Sequence, residues 1–315
     1  MKVLLTTTSF QDTPGIHQEL LYGQGFDIDT LRGPIVESEL LPIIQNYDAV
    51  ICGDDEYTEA VLNKGAAGKL KYISKYGVGL DRIDLEAAKR LNISVTNCPA
   101  VNQVSVSEHV LALLFTFEKN IHLQYNSVQE GSWKRWIGNE IEGKTIGIIG
   151  LGAVGKELAK KSIALGMKVL CYDLNKDKVF LDMYNEVVFV DKLDIIYQLA
   201  DIISRHVPHT ILTDKLINRT VVYEKLAKKP IIINTARGKL VDPKAIIEGL
   251  EAGIIRAYLT DVLEHEPIIK DEVLKGVQNV IITPHVGSRT YQSVQRQGLM
   301  AVNNLIKLVN KDNIT

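Results

Sequence analysis

The chain is predicted to be an α/β protein made of two doubly wound parallel-sheet domains, and three observations carry this. Short apolar runs alternate with helical patterns along nearly the whole sequence, the order that gives parallel strands joined by helical crossovers. The alternation occurs in two series, with a long apolar helical pattern between them. A length of 315 residues also suits two domains better than one.

In chain order, residues 2–7, 49–52, 70–76 and 93–97 read as strands, with helices over 16–22, 38–45, 58–62 and 85–91. From about Ser105 a helical pattern runs through Val110, Leu111, Leu113, Leu114 and Phe117. It is more apolar than a surface helix needs, so it is either a buried connector or a subunit interface; the latter suggests a homodimer. The second series has strands over 145–150, 168–172, 187–190, 201–206, 230–234, 254–260 and 279–283. A helix starting near Asp242 has Pro243 in its first turn and Gly253 at its end. A last helix covers 291–309. With no Gly/Ser linker, the domain junctions are expected to be compact and helical.

Composition narrows the class. The chain is 46% hydrophobic and 23% charged, ordinary for a globular protein. A net charge of −2 without a polybasic run argues against nucleic acid as a partner. The N-terminus reads as a strand rather than a signal peptide, and no apolar stretch is long enough for a membrane span. Cys52, Cys98 and Cys171 lie far apart in or beside strand-like runs, as expected of reduced thiols in a cytoplasmic protein. No cluster of His, Cys and Asp has metal-ligand spacing, so no metal is expected.

The most informative stretch is Lys144-Thr-Ile-Gly-Ile-Ile-Gly150-Leu-Gly152-Ala-Val-Gly155. It reads as a buried strand turning sharply into an amphipathic helix. Gly150, Gly152 and Gly155 form G-x-G-x-x-G, the fingerprint of a dinucleotide site. The first glycine permits the tight turn, the second lets backbone approach a pyrophosphate, and the third lets helix pack on strand. The helix N-terminus turns free N–H groups toward the phosphates. The next strand ends at Asp173, where a ribose 2′-OH needs an acceptor. NAD is the implied cofactor.

Several ordered segments then resemble the D-isomer-specific 2-hydroxyacid dehydrogenases, closest to their phosphoglycerate dehydrogenase-like branch. They are Gly77-Val-Gly79-Leu-Asp81-Arg-Ile-Asp84, Thr96-Asn97-Cys-Pro99 with Asn102 and Ser107-Glu108-His109, and the glycine fingerprint. Ala200-Asp-Ile-Ile-Ser-Arg-His206-Val-Pro208 and Ile233-Asn234-Thr235-Ala236-Arg237-Gly238 follow. Asp261-Val-Leu-Glu-His-Glu266-Pro267 and Thr283-Pro284-His285-Val-Gly287 complete the set. The resemblance implies a Rossmann-type cofactor domain, expected over 101–285. It would be inserted into a flavodoxin-like substrate domain, expected over 1–100 and 286–315.

The resemblance also implies a catalytic set of Arg237, Glu266 and His285, and the chemistry of a 2-hydroxy acid supports each. A guanidinium clamps the carboxylate and polarises the neighbouring carbonyl. An imidazole exchanges a proton near neutral pH. A carboxylate on the far ring nitrogen fixes the tautomer and favours the charged ring. Glu264 competes with Glu266, but only Glu266 occupies the family's position. Among the other histidines, His17 and His122 read as surface residues, His109 as structural and His265 as solvated. His206 and His209 lie near the cofactor edge without a motif partner. Val78 and Gly79 would offer backbone N–H groups to the substrate carboxylate. Asp261 and the Ala236 carbonyl would hold the carboxamide. Ala153, Val154, His206, Pro208 and Thr235 would line the cofactor.

Departures from the family bear on the substrate. Ala153 stands where many relatives carry a polar residue, and His209 replaces a usual leucine. The stretch 52–56 holds three acids and no cation where some phosphoglycerate enzymes hold the phosphate with arginine. The chain is expected to lack the regulatory domain of the longer enzymes. A small unphosphorylated 2-oxo acid such as glyoxylate or hydroxypyruvate is therefore expected. The alternatives are 3-phosphoglycerate dehydrogenase itself and a non-catalytic NAD-sensing, corepressor-like module.

Overall fold

The computed structural model describes residues 1–312 and divides into two compact units, Met1–Asn102 with Arg289–Thr315, and Gln103–Ser288. Residues 313–315 of the expected substrate domain lie outside the described residues.

The first unit opens β1 (Lys2–Leu5), α1 (Thr8–Asp12), α2 (Ile16–Tyr22), β2 (Asp27–Thr30), α3 (Glu37–Leu40) and β3 (Ala49–Cys52). It continues α4 (Glu59–Ala66), β4 (Tyr72–Lys75), α5 (Leu85–Arg90) and β5 (Ser94–Thr96). The second unit begins with α6 (Gln103–Glu118) and α7 (Ile121–Gln129). Then come β6 (Thr145–Ile149), α8 (Ala153–Ala164), β7 (Lys168–Tyr172), α9 (Lys178–Met183), β8 (Val187–Phe189) and α10 (Leu193–Leu199). β9 (Ile202–Arg205), β10 (Ile231–Asn234), α11 (Pro243–Glu251), β11 (Ala257–Thr260) and β12 (Val280–Ile282) complete it, and α12 (Tyr291–Asp312) returns to the first unit.

The first sheet has the order β2-β1-β3-β4-β5 and the second β12-β11-β10-β9-β6-β7-β8, and every pairing in both is parallel. These are the flavodoxin-like and the extended Rossmann orders. Helices cover both faces of each sheet, so β3, β4, β9, β10 and β11 are buried along their whole length. Side chains at the strand ends, at the point where strand order reverses, are then the ones available to a ligand.

Local chemistry punctuates the helices. Asp84, Asp177 and Asp242 cap α5, α9 and α11 by accepting from Ala87, Phe180 and Lys244 N–H groups at 2.9, 3.0 and 3.1 Å. Pro243 occupies the first turn of α11. The helix expected over 38–45 is interrupted. α3 ends at Leu40 and a 3-10 turn covers Ile44–Asn46, because Pro42 has no N–H to continue the ladder. β2 is an edge strand with the exposure pattern of neither a buried run nor an alternation, which hid it from the periodicity. The short α1, α7, α9 and α10 also escaped it.

Two expectations are corrected. Val110, Leu111, Leu113 and Leu114 are buried in the second unit's own core, so that stretch is not a subunit interface. His17, expected at the surface, is fully buried on α2, its ring edge-on to Phe10 at 4.5 Å. Its Nε2 lies 3.3 Å from the Phe10 carbonyl oxygen. Gly298 on α12 leaves the room: a Cβ there would stand 2.7 Å from the imidazole. His122 is half-buried, with Nδ1 3.3 Å from the Thr116 carbonyl.

Candidate active site

The glycine turn stands at the strand-order reversal between β6 and β9. Gly150 has φ +99°, and a Cβ there would lie 2.7 Å from the His206 carbonyl. A Cβ on Gly155 would lie 2.1 Å from the Gly150 oxygen, so α8 sits on β6 only because residue 155 is glycine. Gly152 differs: a Cβ there meets nothing within 4 Å. The protein's own packing does not require glycine at 152. The open space over the first turn of α8, bordered by Ala153 and Val154, is what a pyrophosphate would fill.

Asp173 follows β7. One carboxylate oxygen accepts the Leu151 N–H at 2.6 Å and the other the Asn175 N–H at 3.0 Å, which aims the group beside the glycine turn. Two of the nearby cations are engaged elsewhere, and Lys178 is exposed on the first turn of α9. Lys156 pairs with Asp177, and Lys176 stands 4.9 Å from the centre of the Phe189 ring. On the other half of the sheet, the Thr235 hydroxyl is buried without a hydrogen-bond partner among the described residues. His206 lies beyond β9 with Nε2 2.9 Å from the Ser204 hydroxyl, and Pro208 is exposed. Burial, reinforced by the adjacent Arg205 cation, pushes the His206 pKa down to about 3, so the ring is neutral at physiological pH. An open cradle, an aimed carboxylate and an orphaned hydroxyl fit a dinucleotide.

Arg237 follows β10 on a turn that Asn234 supports. The Asn234 amide donates to the Arg237 carbonyl at 2.9 Å, and its oxygen accepts the Ala236 N–H at 3.2 Å. The Arg237 guanidinium donates to the Ala236 carbonyl at 2.7 Å.

His285 follows β12 and has φ +53°, a left-handed conformation uncommon for a side-chain-bearing residue. Asp261 sustains it. The Asp261 carbonyl accepts the His285 N–H at 2.9 Å, and its carboxylate accepts Val286 and Gly287 N–H groups at 2.9 and 2.7 Å. The same carboxylate takes the Thr283 hydroxyl at 2.6 Å and lies 3.3 Å from His109 Nε2. Burial opposes its ionisation, but His109, Thr283 and the two N–H groups outweigh burial and hold its pKa below the usual range. The carboxylate expected to hold a carboxamide is thus also the anchor of the 283–287 segment. His109, read from the sequence as structural, supports this anchor; Thr283 and Asn234 had no role assigned, and a polar residue closing an Ile-Ile-Ile strand was the available signal for Asn234.

The resulting geometry joins Glu266 to His285. Glu266 Oε2 is 2.7 Å from His285 Nδ1, while Oε1 accepts the Leu263 N–H at 2.8 Å. Glu264 is exposed and takes no part in this pair. Among the described residues, no group of three or more His, Cys, Asp or Glu side chains could hold a metal ion.

In the first unit, Val78 and Gly79 lie on the loop after β4, with Val78 exposed. The three acids of 52–56 are not an unanswered negative patch, which corrects the sequence reading. Lys75, its side chain only 4% exposed, pairs with Asp54 at 2.6 Å, and Arg82 pairs with Glu56 at 3.0 Å. Asp55 is buried, accepts from Thr6 and the Ile35 N–H, and burial raises its pKa. Sequence spacing could not show cations arriving from β4 and the loop beyond it.

The strand order, glycine turn and aimed carboxylate define an α/β dinucleotide-binding protein. Residues 111–287 match the family profile described as D-isomer specific 2-hydroxyacid dehydrogenase, NAD binding domain. A D-3-phosphoglycerate dehydrogenase of Methanocaldococcus jannaschii is 36% identical over 98% of this chain, which spans 57% of that relative's length. A hydroxypyruvate reductase of Thermotoga maritima is 37% identical over 89% of this chain and 91% of its own. The apo structure of D-lactate dehydrogenase from Escherichia coli superposes with a TM-score of 0.86 at 26% identity, covering 99% of this chain and 98% of that one. The chain belongs to the D-isomer-specific 2-hydroxyacid dehydrogenase family.

Proposed function

We propose that the protein is an NAD-dependent 2-oxo acid reductase, equivalently a D-2-hydroxyacid dehydrogenase, whose second unit binds the cofactor and whose first unit serves the substrate. The observation that carries this is the 2.7 Å contact between Glu266 and His285, on a histidine held left-handed by a buried aspartate. When bound, the nicotinamide supplies or accepts a hydride. Arg237 clamps the substrate carboxylate and polarises its carbonyl; in the first unit, Val78 and Gly79 are the residues whose backbone N–H groups serve the substrate. Protonated His285, its charge supported by Glu266, gives a proton to the carbonyl oxygen; neutral His285 removes it in the reverse direction. Gly150, Gly152, Ala153, Val154 and Gly155 receive the pyrophosphate, and Asp173 receives the ribose. Thr235, Ala236, His206, Pro208 and Asp261 border the nicotinamide half.

The substrate we favour is hydroxypyruvate or glyoxylate. Lys75 and Arg82 are already neutralised by acids, so the first unit offers a second anionic group no surplus charge there. A hydroxypyruvate reductase and a glyoxylate reductase are among the relatives that this chain matches over most of its length. The experiment is a panel of 2-oxo acids with NADH, including hydroxypyruvate and its 3-phosphate at fixed ionic strength. Turnover of the unphosphorylated acids is expected at least as efficiently. A preference for the phosphate beyond about tenfold, or 1.4 kcal/mol, would make 3-phosphoglycerate dehydrogenase the better reading. No turnover with tight NADH binding would leave the sensing module.

We also propose a homodimer in the cytoplasm. Three buried free cysteines suit a reducing compartment, and no helix among the described residues is long and apolar enough to cross a membrane. The dimer reading rests on Tyr125, Val128, Trp133 and Ile137, large apolar side chains that stand exposed along and after α7.

A further inference from the structure

The second sheet contains a charge that nothing in the fold balances. Arg205 closes β9 and is fully buried; its guanidinium has the Tyr258 hydroxyl as a hydrogen-bonding neighbour but no carboxylate partner among the described residues. The groups that act on it are the hydroxyls of Tyr258 and Tyr197, which are dipoles and carry no negative charge. Both tyrosines belong to an apolar layer with Ile196, Ile203 and Ile232. Arginine stays protonated in such surroundings, so the sheet holds an uncompensated positive charge, an arrangement that is costly and therefore uncommon.

Its place is specific. In register Arg205 lies between Ile149 of β6 and Asn234 of β10, at the strand-order reversal. The next residue's carbonyl is the one a Gly150 Cβ would strike. The field of Arg205 reaches this crevice, since it adds to burial in keeping His206 unprotonated. The glycine turn and Asp173 belong to the β6–β8 half, which takes the adenosine side of a dinucleotide. The β9–β12 half, which Arg205 opens, takes the nicotinamide side.

We propose that Arg205 selects the redox state of the cofactor, its buried charge making the protein bind the reduced, uncharged nicotinamide more tightly than the oxidised, cationic one. This rests on the dinucleotide reading above. The two cofactor forms share adenine, riboses and pyrophosphate, so those contacts cancel in the ratio of their affinities. What remains is one unit of charge on the nicotinamide ring. A buried cation acting over about 10 Å at the effective dielectric of a protein interior changes such a ratio by about tenfold. The protein would then be set for reduction of the 2-oxo acid.

Calorimetric titration of NAD⁺ and NADH, without substrate, tests this on the intact protein and its Arg205→Met and Arg205→Lys variants. The wild type is expected to bind NADH at least about tenfold more tightly than NAD⁺. In Arg205→Met the preference should shrink by about tenfold, and Arg205→Lys should retain it. An unchanged ratio in Arg205→Met would overturn the proposal and leave Arg205 a packing residue. Should that variant fail to fold, a wild type that binds NAD⁺ as tightly as NADH overturns it alone. Failure of the wild type to bind either form would instead refute the dinucleotide reading, and is distinguishable from both results.

Discussion

Glu266 meets His285 on one ring nitrogen, and in the proposed reaction the histidine would carry the proton and the carboxylate would support it. Replacing the carrier with glutamine removes the titrating group without touching the glycine turn. His285→Gln should therefore lower the single-turnover rate by about 10²–10⁴-fold while NADH affinity, read by fluorescence quenching, stays within a fewfold of wild type. Glu266→Gln should cost less, because the imidazole remains and keeps a hydrogen-bonding neighbour. A Glu266→Gln rate below that of His285→Gln would reverse the assignment. In the proposed cofactor site, Asp173 would present a carboxylate where a 2′-phosphate adds like charge, with Lys156 tied to Asp177 and Lys176 engaged over Phe189. NAD(H) should be preferred over NADP(H), and Asp173→Asn should narrow the gap. Equal affinities in the wild type would refute the reading of Asp173.

Two elements carry predictions of opposite kind. On α8, Gly155→Ala puts a Cβ onto the Gly150 carbonyl, a backbone clash that neither neighbour can rotate away from. It should destabilise the fold by about 2–3 kcal/mol in urea denaturation. Gly152→Ala meets open space, so its stability change should stay within about 1 kcal/mol, mostly from the weaker helix cap. NADH affinity should nevertheless fall in Gly152→Ala, because its methyl occupies the cradle. On α2, burial lowers the His17 pKa from its ordinary 6.5, more than the Phe10 carbonyl restores. The unfolded chain then binds more protons than the folded one below that value. The stability from a neutral buried His17 is complete above about pH 6.5 and is lost as pH falls below it. Melting temperatures between pH 7 and 5 should fall less steeply in His17→Gln than in wild type. Equal slopes would mean that His17 titrates alike in both states.

At the scale of the molecule, the apolar residues left unburied matter most. Tyr125, Val128 and Trp133 are exposed by 63, 49 and 79%, and Ile137 by 96%, on one stretch of chain after the buried α6. Sedimentation equilibrium of the wild type should give twice the chain mass. Ile137→Asp combined with Trp133→Ser should shift it toward monomer without lowering the melting temperature of an already monomeric control. A wild type that sediments as a monomer at micromolar concentration would refute the dimer.

Much of this protein is written locally, and local features were legible. Alternation of strand and helix, the glycine spacing, Asp173 closing the second strand and Asp242-Pro243 opening a helix each depend on a few adjacent residues and their backbone preferences. Where a residue's meaning depends on partners far along the chain, sequence could not supply it. The apolar run at 110–117 was open to two readings, and only packing against the second sheet placed it in that unit's core. The acids at 52–56 read as a bare negative loop until folding brought Lys75 and Arg82 against them. His17 looked like a surface residue until Gly298, on a helix from the far end of the chain, left a pocket for it. Arg205 had no role assigned in the sequence, and tertiary structure alone made it a buried cation without a counter-ion. The reason is the same throughout. Backbone conformation is set by neighbours in sequence, whereas charge state, burial and hydrogen bonding are set by neighbours in space.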